Sequence, residues 1–186
     1  ETEDECAMKI YSFLNLHNNI QIDGAIISSV VPALVTTLKK AIYTVCKVNA
    51  IVVGPGIKTG LSIKIDDPAQ LGADLVVGAV AAKEKYPQPT IIFDLGTATT
   101  GSVLDKDGNF LGGTITTGVK TSINALSAGA ALLPQIDITA PKKIIGTNSI
   151  ESMQSGCVIG TACMIDGLID KFEQELGEKA TVVVTG

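Results

Sequence analysis

The chain has 186 residues, 46% of them hydrophobic, and a formal net charge of −5, which suits one large domain or two small ones around a real core. All fourteen basic residues are lysine. Without arginine or a clustered basic face, nucleic-acid binding is not expected, and a phosphate would have to be met by backbone N–H groups, metal ions and lysines rather than by a guanidinium fork.

The acidic opening Glu1-Thr2-Glu3-Asp4-Glu5 is the opposite of a secretory leader's basic start, and residues 4–16 read as a helix with Cys6, Ile10, Phe13 and Leu14 on its apolar face, stopped by Asn18-Asn19. Residues 22–31 read as a strand. Pro32 then opens a helix to about Cys46, since proline favours the first helical turn. Residues 50–53 form a second short buried strand, and Gly54-Pro55-Gly56 breaks it. Residues 57–65 are loop or edge strand. Asp67-Pro68 is a helix start, an N-cap followed by proline, predicting a helix to about Tyr86 that Pro87 and Pro89 end. Strand alternating with helix is an α/β pattern.

The next stretch, Thr90 to Thr100, is the one with chemistry in it. Ile91 to Phe93 is a short apolar run that reads as a strand. Asp94, Gly96 and three threonines follow it, then further strands over 99–105 and 109–117 around the turn signal Asp105-Lys106-Asp107-Gly108-Asn109. A tight Gly/Thr turn aims N–H groups and hydroxyls at one spot, as phosphate cradles do, and the acid beside it can hold a cation. The same residues also read as a polar hairpin tip with no ligand. A helix is expected from Gly118 to about Ala131, then a loop with Pro134 and Pro141. Asn148-Ser149-Ile150-Glu151 resembles a capping box that opens a long helix to about Leu176. Gly156 and Gly160 stand four apart inside it, at a cost of about 1 kcal/mol each, which suggests a second backbone packed closely there. Residues 181–184 form a last strand.

No uninterrupted apolar run reaches the roughly 18 residues of a membrane span, so neither a membrane nor a compartment other than the cytoplasm is expected. The four cysteines, 6, 46, 157 and 163, include no Cys-x-x-Cys pair, and His17 is the single histidine. Zinc spacing is therefore lacking, and reduced thiols are the simplest reading.

Five stretches in order and spacing resemble the type III pantothenate kinase family, a branch of the actin/sugar-kinase/Hsp70-like superfamily: 2–5; Ser28-Ser29-Val30-Val31-Pro32; Asp67-Pro68 with Gly72-Ala73-Asp74; Asp94-Leu95-Gly96-Thr97-Ala98-Thr99-Thr100; and 148–156. Thr185-Gly186 is similar to the start of the family's adenosine motif. The resemblance implies two actin-like (ribonuclease H-like) halves with a cleft between them: residues 1–87 as the remainder of the first half and 88–186 as an incomplete second. It also implies a fragment lacking both ends, with the opening Asp-x-Gly-Asn-Thr motif absent. The implied reaction moves the γ-phosphate of ATP to pantothenate, with Mg²⁺ and K⁺ or NH₄⁺, in a homodimer. By resemblance Asp74 is the general base. Gly72, Ala73, Asp74, Leu75, Ile65 and Ser149 meet pantothenate; Gly96, Thr97, Thr99 and Gly186 meet ATP; and Asp94 holds the monovalent cation. The apolar neighbours of Asp74 predict partial desolvation of its carboxylate. Leu75, Ile65 and Ser149 stand where the family has Arg, Tyr and Thr. A related small-molecule kinase with an altered substrate, or an inactive regulatory homologue, therefore remains an alternative.

Overall fold

The structure, a computed structural model, describes residues 2–18 and 20–186. Glu1 and Asn19, the latter half of the expected helix stop, lie outside them. The chain divides into two compact units, Glu1–Gly60 with Asp66–Val80, and Leu61–Ile65 with Ala81–Gly186.

The first unit opens with α1 (Glu3–Leu16). Thr2 caps it in a reciprocal box: Glu5 N–H donates to Thr2 Oγ1 (3.3 Å) and Thr2 N–H donates to Glu5 Oε2 (2.8 Å). Three acids in the first turn add favourable charge at the positive end of the helix dipole. Of the expected apolar face, Cys6 is buried but Phe13 is exposed. Pro32 does start α2 (Pro32–Cys46), which ends at Lys47 in a left-handed conformation, φ 60°. The strands fall short of expectation. Residues 22–31 yield only β1 (Ile26–Ile27), and residues 50–53 only β2 (Ile51–Val52). The two pair in parallel, Ile26 with Ile51 and Ile27 with Val52. A strand exists only as far as its partner runs, so neither continues.

The helix expected from Asp67 to Tyr86 is broken in two. Asp67 caps a single 3₁₀ turn, Pro68–Gln70, accepting from the Ala69 N–H (3.1 Å). Leu71 then turns extended, and α3 runs Ala73–Lys85. Gly72 sits at the break, a residue with little to lose by leaving the helix.

The second unit is built on a four-stranded sheet of order β5-β4-β3-β6. It comprises β3 (Thr90–Leu95), β4 (Ala98–Leu104), β5 (Phe110–Thr117) and β6 (Thr181–Thr185). The antiparallel meander matches the expected one within a residue at each end. Asp105 accepts the N–H groups of Asp107 and Asn109 at its turn (2.9 and 2.8 Å). Strand β6 joins parallel to β3, Ile92 opposite Val183. Residues 61–65 form no strand; Ile63 bridges Phe110 singly.

Ile91, Phe93 and Leu104 are fully buried with Ile123 of α4 (Val119–Gly129). Each such side chain contributes roughly 1.5–3 kcal/mol by leaving water. Phe93 reaches Phe172, ring centroids 6.4 Å apart. Phe172 lies on the long closing helix, which is α5 (Ser149–Gln154), one π-helical segment (Ser155–Ile159) and α6 (Gly160–Leu176). By length and composition this continuous helix could cross a membrane, although no wholly apolar run does so; Met153, Ser155 and Cys157 are buried and most of its other residues are exposed or half-buried. The close neighbour expected at Gly156 and Gly160 is not found among the described residues: a Cβ at either position would meet nothing within 4 Å.

Candidate active site

Asp94 is the penultimate residue of β3, so pairing defines its company. Thr100 of β4 lies opposite it on one side and Thr185 of β6 on the other. Cross-strand partners share a face, which sets a half-buried carboxylate between two threonines. Oδ1 leans toward the following turn, 3.6 Å from where a Cβ on Gly96 would be. The parallel strands β3 and β6 both end here, and the carboxyl ends of parallel strands are where ligands of α/β sheets bind.

The turn after Asp94 is packed backbone on backbone. A Cβ on Gly118 would overlap the Gly96 carbonyl, and one on Gly186, itself at φ 118°, would fall 2.6 Å from the Leu95 nitrogen. Only glycine fits at either place. The Thr97 carbonyl accepts twice, from the Gly118 N–H (3.0 Å) and from Thr121 Oγ1 (2.7 Å). Gly96 and Thr97 are thus exposed to solvent yet held from behind by the start of α4. Thr99 differs. The pleat sends it to the opposite face from Asp94, where it is 2% exposed and its Oγ1 has no hydrogen-bond partner among the described residues. The structure therefore brings Asp94, Gly96, Thr97 and Gly186 together and leaves Thr99 underneath. Sequence put Thr100 and Thr185 in motifs and Gly118 at a helix start without setting any of them beside the Asp94 turn, and it did not single out Thr121. Their role is set by pairing and by contacts across more than twenty residues, and only the threonine and glycine content hinted at it.

Ser149 opens the long helix and lines a cavity of about 850 Å³ with Thr116, Thr117, Asn148 and Met153. Among the described residues, none that lines it is charged. Burial pushes the Cys157 thiol in its wall upward, keeping it neutral. Asn148 Oδ1 accepts the Glu151 N–H (3.0 Å), half of the expected capping box. The Glu151 side chain does not take the Asn148 backbone N–H that would complete the box; it takes both the N–H and the hydroxyl of Thr147 (3.1 and 3.0 Å), with the Asn148 side chain beside it. Ile65 is not in this cavity; it packs beside Gly112 of β5.

Asp74 stands in the first turn of α3, and Oδ1 accepts the Leu75 N–H (2.9 Å). A Cβ on Gly72 would lie 2.5 Å from that same Oδ1, so the glycine leaves room for the carboxylate to fold back on its own helix. Ala73 is buried and anchors the turn. Asp74 itself is exposed, so the desolvation expected from its neighbours is not met: Leu71 and Leu75 are only half-buried around it.

Comparison with known proteins gives the same family from several directions. The family model described as type III pantothenate kinase matches residues 1–171. A protein of that description from an Exiguobacterium species is 42% identical over all of this chain and 74% of its own length. The one from Halalkalibacterium halodurans is also 42% identical over 74% of its length. That from Bacillus cytotoxicus is 41% identical over 72%. Among solved structures, a Campylobacter jejuni protein described as a Baf family transcriptional activator aligns with a TM-score of 0.56 and 20% identity, over 86% of this chain and 68% of that one. At that identity the likeness speaks for the fold alone.

Proposed function

The chain belongs to the type III pantothenate kinase family, and we propose that its protein transfers the γ-phosphoryl group of ATP to pantothenate, in coenzyme A biosynthesis, with Asp74 as the base. The observation that carries this reading is the match along the whole chain to pantothenate kinases. Phosphoryl transfer asks a protein for positioning and charge neutralisation more than for covalent help. Exposed Asp74, with Gly72, Ala73 and Leu75, takes the proton of the primary hydroxyl. Gly96, Thr97 and Gly186 offer backbone to the nucleotide.

Asp94 has a threonine as cross-strand neighbour on each side, Thr100 and Thr185, so the ligand set its position offers is a carboxylate with threonine oxygens. That set fits a hard cation such as K⁺ or NH₄⁺. Mg²⁺ is rarely held by an all-protein cage; it takes one or two carboxylates plus substrate phosphates and keeps several waters. Asp94 would hold the monovalent cation, whose charge would offset that of the phosphates. Mg²⁺ would travel with the nucleotide.

The homodimer is supported by the long helix. Gly156, Gly160, Cys163 and Gly167 make an exposed small-residue stripe on one of its faces, where a second copy can approach closely. Gly160→Leu should then reduce the mass seen by light scattering. An acidic chain without arginine supports a protein that does not bind nucleic acid.

Asp74→Asn in the full-length protein tests the chemistry, because it keeps shape and removes the proton acceptor. Turnover should fall about 10²–10⁴-fold while ATP binding survives. Near-normal turnover would leave Asp74 a positioning residue at most. A second reading, a kinase for a related small alcohol, rests on the cavity beside Ser149, which offers a carboxylate no cation. Turnover of other primary alcohols in preference to pantothenate would favour it. A folded protein that releases no ADP with any of them would favour the regulatory homologue.

A further inference from the structure

The chain contains two helix starts of the same sequence form, and they are wired differently. At α1 the acid three residues past the cap returns to the cap residue's own N–H, Glu5 Oε2 to Thr2. That is the ordinary reciprocal box. At α5 the acid in the same position, Glu151, leaves the cap residue's backbone N–H and takes Thr147, by backbone and hydroxyl together, with the Asn148 side chain also acting on it. Thr147, Asn148 and Ser149 form the polar rim of the 850 Å³ cavity, whereas Glu151 does not line it. Two further ties press the same strap onto the helix. Ser155 Oγ donates to the Ile144 carbonyl (2.6 Å), and a Cβ on Gly146 would overlap the Ser152 backbone. Among these ties, Glu151 supplies the one charged group, and Lys143 on the preceding loop faces it.

We propose that Glu151 is a positioning residue for the acceptor substrate: without touching it, the carboxylate clamps Thr147 and so holds the 147–149 rim in the shape the substrate meets. This rests on the reading of Ser149 as part of the pantothenate site. A clamp of this kind acts on ground-state fit, so its loss raises KM and spares the chemical step. A simple helix cap would change stability alone.

The test is steady-state kinetics of the full-length enzyme with Glu151→Ala, Glu151→Gln, Thr147→Val and Ser149→Ala, each with its melting temperature. Glu151→Ala should raise KM for pantothenate about tenfold, the scale of a lost hydrogen bond to a charged group, with kcat within about twofold and KM for ATP unchanged. Glu151→Gln, which keeps one acceptor oxygen, should restore part of the loss. Thr147→Val, which keeps its N–H, should show a smaller rise and decides the matter if Glu151→Ala fails to fold. The proposal is overturned if KM for pantothenate is unchanged in Glu151→Ala, or in Thr147→Val where that variant decides, while Ser149→Ala raises it; the substrate site then stands without the clamp. If neither position moves KM, the cavity is not the substrate site and both readings fall. Equal rises in KM for pantothenate and ATP would mark general loosening and also overturn it.

Discussion

In the unit that contains Thr90 to Thr117, a six-residue strand built on the apolar run Ile91–Phe93 is paired on both sides over Thr90–Asp94; in the unit that contains Ile26 and Ile51, apolar runs pair over two residues only. Both runs looked alike on paper. The difference lies in what each has beside it. Strand β3 has an antiparallel partner delivered by a short hairpin and a parallel partner delivered by the long helix, so Ile91 and Phe93 are fully buried. Strand β1 has one short partner, and Ile26 and Ile51 stay 68% and 57% exposed. Strand length is thus a property of the pair. The proposed chemistry divides in the same way. Asp94 is held by a sheet, whereas Asp74 is held by one turn of its own helix.

The sharpest test of this contrast is a pair of truncations. Phe93→Ala should destabilise the protein by about 3–5 kcal/mol through the cavity it leaves, whereas Ile26→Ala, a surface change, should cost within about 0.5 kcal/mol. Urea denaturation reads both, and equal costs would mean that Ile26 is as much a core residue as Phe93. Next comes a pair of glycines. Gly118→Ala puts a Cβ onto the Gly96 carbonyl and should cost about 1–3 kcal/mol as overpacking does, with loss of nucleotide binding. Gly24→Ala has open space and should be neutral or stabilising by up to about 1 kcal/mol. A harmless Gly118→Ala would show that the Asp94 turn is looser than its packing.

The smallest effect concerns pH. The Lys179 ammonium at 2.6 Å and the Ala180 N–H hold the Glu173 carboxyl below its ordinary value of 4.5. Because the folded value is depressed, the stabilisation is present above the ordinary carboxylate range and is lost as pH falls through the lowered one. Lys179→Met should therefore flatten the acid limb of stability against pH in the second unit and leave the neutral range nearly unchanged. An acid limb as steep as before would place its cause elsewhere.

Local signals were legible wherever the physics is local. Pro32, Asp67-Pro68 and Asn148 start their helical turns as their backbone and hydrogen-bonding preferences dictate, and the turn at Asp105–Asn109 closes as its residues predict. The meander carrying Asp94 followed, because alternating pairing across short hairpins needs little beyond the chain itself. The break at Leu71–Gly72 could have been suspected from the glycine. The face of Thr99 could have been counted from Asp94 once the hairpin was accepted: Leu95 lies opposite Thr99, so Asp94 faces Thr100.

What the residues determine by themselves is the helix starts, the hairpins and the family to which the motifs point. Tertiary structure alone decided the length of β1 and β2, since a strand ends where its partner's hydrogen bonds end. It also decided the company of Asp94, because Thr185 reaches it only after ninety residues of intervening chain. The turn of Glu151 toward Thr147 was likewise decided there. A cap residue and an acid three positions apart leave more than one donor within reach of that carboxylate, and the packing of the Ile144–Asn148 strap against the helix brings Thr147 to it.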